Sequence, residues 1–148
     1  MNMDSWIFCS FEFEGLHHWK DAIHEKGVEF LAFKHRHMFH VKLWMSVSHH
    51  DRDIEFIKLK NYLKDVVEEW PKNLHTASCE NIAYKLAIAS QCFVNKMDKN
   101  QMYFLYPEVR MAWSKSLIEL DLENYTKVKV EVSEDGENGA YLQIDFRG

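Results

Sequence analysis

Glycine and proline are scarce in this chain, at five and two of 148 residues. That excludes collagen-like and low-complexity architectures and favours long regular elements joined by few loops. Cysteine is scarce too. Cys9, Cys79 and Cys92 are an odd number without the paired spacing of a cysteine metal site, so free thiols in a reducing compartment are expected. No apolar run reaches the roughly 20 residues that cross a bilayer. The first residues, MNMDSWIF, lack the basic-then-apolar pattern of a secretion signal, so a cytoplasmic protein with no membrane partner is expected. Cationic excess is also missing. Eighteen Lys and Arg stand against 23 Asp and Glu, a net charge of −5, so a nucleic-acid partner has no support from overall electrostatics. Internal repeats and linker-like stretches are absent as well.

What remains is a chain with 47% hydrophobic and 14% aromatic residues, long enough for one domain with a proper core. Nine histidines are many for this length. Their placement matters more than their number. His35 and His37 flank Arg36 in KHRHMFHVKLWMSV, and His17 lies upstream in FEGLHHW. Side chains on a strand alternate with period two, so His35 and His37 point the same way. With a third histidine from a neighbouring strand they can hold zinc and leave the fourth position open. A cupin-type site is the rival metal arrangement, but the glutamate expected shortly after the pair is missing. His49, His50 and Asp51 form another possible cluster, read more simply as a polar turn after a strand.

Periodicity gives the element order. Residues 5–17 alternate as a first strand, with Phe11, Phe13, Gly15 and His17 on one face. Residues 35–48 form a second, in which His35 and His37 begin the apolar face of Phe39, Val41, Leu43 and Met45. A helix is expected over 54–69 from Phe56, Leu59, Leu63, Val66 and Val67, with Asp51 or Asp53 as cap and Pro71 beyond its end. A second spans 79–97 behind an Ser78 N-cap. A third is expected to start at Pro107 and run to 121, with Val109, Trp113, Leu117 and Leu120 on one side; the MYFLY patch before it reads as a connection. Val128, Val130 and Val132, then Ala140, Leu142, Ile144 and Phe146, make two closing strands around a SEDGENG hairpin turn. The sum is an α+β domain over 1–148: a four-stranded antiparallel sheet with two long helices on one face, plus an extra helix.

With these residues in place, the chain resembles the 6-pyruvoyl-tetrahydropterin synthase and 6-carboxy-tetrahydropterin synthase family of tunnelling-fold proteins. FEGLHHW, HRHMFHVKL, DIEFIKLKNYL and, more weakly, SCENIAYKL carry the likeness, over about the first two-thirds of the chain. The resemblance implies the ββααββ tunnelling fold, with 98–126 as an insertion, and zinc held by His17, His35 and His37. It implies a lyase-like reaction on a dihydroneopterin triphosphate-type substrate, feeding a 7-deazaguanine or biopterin-type pathway. It further implies a homo-oligomer, a trimer or a pair of stacked trimers. Departures are plain. Arg36 replaces the glycine usual between the paired histidines. The family's reactive cysteine falls four or six residues before the first of them, at Leu31 or Glu29, leaving Glu29 as the candidate proton-transfer residue. EEWPKNLHTA lacks the family's Asp-His pair, and His75 is the titratable residue left to substitute. Ser78 can meet the ligand as well as cap its helix. Glu131, or else Glu134, would anchor the ring. The alternative expectation is a divergent zinc-binding protein that takes a pterin- or purine-like ligand without the family reaction.

Overall fold

The computed structural model describes residues 3–49, 53–111 and 113–148. Alternating apolar residues build two long strands, β1 (Ser5–His17) and β2 (His35–Val47), and two shorter ones, β3 (Lys127–Glu134) and β4 (Asn138–Asp145). They form one antiparallel sheet in the order β1-β2-β3-β4. Between β2 and β3 come α1 (Phe56–Glu68), α2 (Cys79–Val94) and the short α3 (Lys99–Leu105). The protein is thus α+β, with a four-stranded antiparallel sheet and three α-helices among the described residues.

One face of the sheet is apolar because the inward positions of each strand recur at every second residue. Phe39, Val41, Leu43 and Met45 of β2 and Val128, Val130 and Val132 of β3 are buried there. On the other side of this core, α1 contributes Leu59, Leu63 and Val66, recurring at helical spacing. Nearly every residue of α2 from Ile82 to Cys92 is buried, so this helix is central to the fold. Cys9, Cys79 and Cys92 are free and buried, as small apolar residues. No helix among the described residues is long and apolar enough to cross a membrane.

Three expectations need correction. The cap of α1 is neither Asp51 nor Asp53. The Glu55 carboxylate accepts from the N–H groups of Ile57 and Lys58, while Asp53 accepts from the backbone and hydroxyl of Ser48. Asp51 and His50 lie outside the described residues. The third helix is not at 107–121. It forms instead at Lys99–Leu105, running into the MYFLY patch, where Asp98 and Gln101 make a reciprocal capping box at its start. Between Leu105 and β3, the described residues hold a single 3-10 turn, Pro107–Arg110. Helical spacing misleads here because α2 supplies other partners for the backbone beyond it. Within the expected helix, Tyr84 accepts from the Ile118 N–H at 2.9 Å and Asn81 donates to the Ser114 carbonyl; just beyond it, Asn95 accepts from Asn124 at 3.0 Å and Gln91 from Thr126 at 2.9 Å. With these bonds made, the described residues beyond Arg110 form no helix, and Leu117 is left 86% exposed. The same bonds satisfy Gln91, a buried amide that would otherwise be costly in the core.

Candidate metal centre

Strand register assembles the centre. His17 pairs directly with His35, Gly15 with His37, and Phe39 with Glu134. All four ionisable side chains therefore share the core face at one end of the sheet, just beyond the last apolar layer. The ring centroids of His17, His35 and His37 are 4.6–5.2 Å apart. One nitrogen from each lies within 4.8 Å of the others, and the cluster can hold a metal ion.

The other nitrogen of each ring is already committed. His17 Nδ1 donates to the carbonyl of Ala77 at 2.8 Å, and His35 Nδ1 to that of Phe33 at 2.8 Å. His37 Nδ1 donates to the carboxylate of Asp135 at 2.6 Å. These acceptors have no proton to give, so each Nδ1 must carry one. In a neutral ring that leaves Nε2 with its lone pair, the form that binds metal. The pattern is the outer-shell support that orients metal-binding imidazoles. Moreover, Nε2 of both His17 and His37 is buried without a hydrogen-bond partner. Two orphaned nitrogens in so polar a cluster are what a bound cation would satisfy, so the residues fit a metal. Burial holds the His17 imidazole below its ordinary value of 6.5, outweighing the Ala77 hydrogen bond and the nearby Glu134 carboxylate, and this too favours the neutral ligand.

Local sequence explains how the supports are placed. Chain beyond α1 runs back along the edge of β1: Leu16 N–H donates to Lys72, and Leu74 and Leu16 are joined at 2.7 Å. A Cβ on Gly15 would lie 2.8 Å from Leu74, so the glycine lets this segment come close and bring Ala77 to His17. Ser78 follows and caps α2 by accepting from the Asn81 N–H, as expected. Asp135 sits in the β3–β4 turn with φ of +56°, a left-handed conformation that aspartate tolerates. Its carboxylate also accepts from the Met38 N–H, and that bond and the one to His37 hold it below the usual carboxylate range.

Replacing Asp135 by Asn keeps the turn and the Met38 acceptor but removes the charge behind His37. Zinc affinity is expected to fall roughly 10–100-fold, measured by competition with a chromophoric chelator, with the circular dichroism spectrum unchanged. Unaltered affinity would show that Asp135 does not support a metal ligand.

Beside the histidines opens a cavity of about 460 Å³. His17 and His35 form its floor; Trp19, Leu31, Thr76, Ser78, Cys79, Lys115, Glu134 and Asn138 are among its walls. Of the residues expected at the site, the structure brings together His17, His35, His37, Ser78 and Glu134, the second of the two glutamates considered. Glu131 pairs with Lys42 and Tyr141 on the exposed opposite face of the sheet. Glu29 is exposed, accepts from the Gly27 N–H at 3.0 Å and does not line the cavity. His75 is exposed, packs its ring against Trp113 at 5.0 Å and is likewise off the cavity wall. Leu31, one of the two positions where the resemblance would put a cysteine, does line it. Glu134 is the carboxylate that faces the centre, its oxygens 3.2 Å from His17 Nε2 and 3.3 Å from His37 Nε2. The parity of Val128, Val130 and Val132 was the available signal for it, since 134 continues their face. Cys79, whose thiol lies 3.9 Å from Glu134, was not foreseen at the site; burial pushes its pKa up to about 12, so it is a protonated donor.

Comparison with known proteins finds no matching family model and no matching curated protein.

Proposed function

We propose that the chain is a zinc-binding protein of tunnelling-fold type whose cavity takes a pterin- or purine-like ligand. The observation that carries this reading is the convergence of three imidazoles, their far nitrogens all committed, beside an open cavity of about 460 Å³ that His17 and His35 line. That volume suits a small bicyclic ligand with a side chain. Trp19 and Leu31 offer an apolar wall for a flat ring, while Ser78 and Asn138 offer hydrogen bonds and Lys115 a cation for phosphate. Zinc bound at the histidines would polarise a ligand oxygen as a Lewis acid. Ring assembly through the sheet edges β1 and β4, as in the proteins the sequence resembles, would enlarge the cavity and cover those edges.

A second reading is a pterin synthase-like lyase acting on a dihydroneopterin triphosphate-type substrate. It is favoured by Glu134, a carboxylate at the centre in position to accept a proton from the ligand. Against it stand Glu29 and His75, both off the cavity wall, and the Cys79 thiol, which burial keeps protonated.

Incubation of zinc-loaded protein with 7,8-dihydroneopterin triphosphate separates the two. Saturable quenching of ligand fluorescence without triphosphate release is the result expected. Release of triphosphate would establish the lyase. Absence of any binding would overturn both.

A further inference from the structure

We propose that Glu134 is a fourth protein ligand to the metal, so that the resting centre is closed by three imidazoles and one carboxylate. The inference rests on the reading of His17, His35 and His37 as a metal centre and goes on to say what fills its remaining position.

The two oxygens of Glu134 are divided between two rings. Oε1 lies 3.2 Å from His17 Nε2 and Oε2 lies 3.3 Å from His37 Nε2. Such distances would suit hydrogen bonds, yet both Nε2 atoms are buried without a hydrogen-bond partner. Each ring already donates from Nδ1, to Ala77 and to Asp135. A neutral ring in that tautomer turns a lone pair toward the carboxylate. Lone pairs facing an anion at this range repel one another, and a cation among them reverses the sign. Nitrogen and oxygen donors on one zinc, each about 2.0–2.2 Å from the ion, lie roughly 3 Å from one another. Each Glu134 oxygen meets that separation to one ring, Oε1 to His17 and Oε2 to His37, so the carboxylate would approach the ion with both oxygens, beside the three histidines.

The carboxylate is also held in place. Glu134 ends β3 opposite Phe39, and the Cys79 thiol donates toward Oε1 at 3.9 Å from the first turn of α2. Chain continuity adds a further link: Asp135, the next residue, supports His37 from behind. One turn of the β3–β4 hairpin thus supplies a ligand and the outer-shell partner of another ligand.

A closed centre changes what the cavity can do. A ligand reaching the metal must displace Glu134, whereas one that leaves Glu134 in place is held by the walls alone. Metal sites with four protein ligands are commonly structural, and those with an open position commonly catalytic.

The test uses the whole chain and two probes, zinc and cobalt(II). Zinc affinity is measured for the wild type, Glu134→Gln and Glu131→Gln, the last being a control on the opposite face of the sheet. Outer-shell partners of metal sites are worth roughly 10–100-fold, and a ligand no less, so Glu134→Gln is expected to bind zinc about 100-fold more weakly. Glu131→Gln should match the wild type. The visible bands of the cobalt(II) form should ignore added azide in the wild type and shift with it in Glu134→Gln, where a position has opened. Matching near-ultraviolet circular dichroism of the metal-free proteins separates ligation from misfolding. Equal zinc affinities, with a wild-type cobalt spectrum that already responds to azide, would overturn the proposal while leaving the three-histidine centre standing. A wild type that binds neither metal would overturn both.

Discussion

Replacing His35 and His37 together by alanine is expected to abolish specific zinc binding. In structural sites the apparent binding free energy is roughly 10–16 kcal/mol. If that is shared among four donors, removing two weakens binding by more than about a thousandfold. The effect on stability is as clear. Zinc that binds the assembled cluster and not the unfolded chain would, at a thousand times its Kd, stabilise the native protein by about 4 kcal/mol. For a chain of this length that corresponds to a rise in Tm of roughly 10 °C. The wild type should show this rise on adding zinc, and the double variant should show none. The metal-free variant should still fold, because both side chains lie beyond the last apolar layer and not within it: Phe39, fully buried, is the first core residue of β2. A zinc-dependent rise in the double variant would mean that the ion binds elsewhere.

Gly139→Ala is expected to be the most damaging single substitution outside the core. A Cβ at this position would lie 2.1 Å from the Val132 carbonyl oxygen and 2.5 Å from the Ser133 Cα. Both are backbone atoms of the neighbouring strand, so no side-chain rotation relieves the clash. The β3–β4 pairing must open, and it is this pairing that positions Glu134 and Asp135. Overpacking in a well-packed core costs about 1–3 kcal/mol, and a clash with backbone belongs at the top of that range. About 3 kcal/mol lowers Tm by roughly 10 °C here. Zinc affinity should fall along with it, since the carboxylate that supports His37 lies in the disturbed turn. Thermal unfolding with and without zinc measures both effects. A Tm within about 3 °C of the wild type would show that the hairpin yields at little cost.

The centre was legible where it depends on alternation. Parity along β1 and β2 put His17, His35 and His37 on one face, and the antiparallel register then made them neighbours. Alternation likewise located the four strands, whose apolar residues repeat every second position. Where the pattern was weaker, other interactions decided. At 107–121 the apolar spacing suits a helix, but Tyr84 and Asn81 of α2 take up the Ile118 N–H and the Ser114 carbonyl, backbone groups that a helix would have used. At the start of α1, Asp and Glu can all cap, and only the backbone path shows that Glu55 is the one in reach. Glu131 and Glu134 differ in parity, so one register decides between them, and Glu134 shares the face of the histidines. The supports of His17 and His35 have no sequence signature, because Ala77 and Phe33 act through their carbonyls and any residue carries one. Asp135 is readable as a turn residue. Its second role, behind a histidine 98 positions away, comes from the fold alone.

X-ray absorption at the zinc edge of the loaded protein tests the central claim most directly. The account predicts a first shell of nitrogen and oxygen at about 2.0–2.1 Å with the outer-shell scattering of three imidazoles and no sulfur. A sulfur shell at about 2.3 Å, or fewer than three imidazoles, would contradict it.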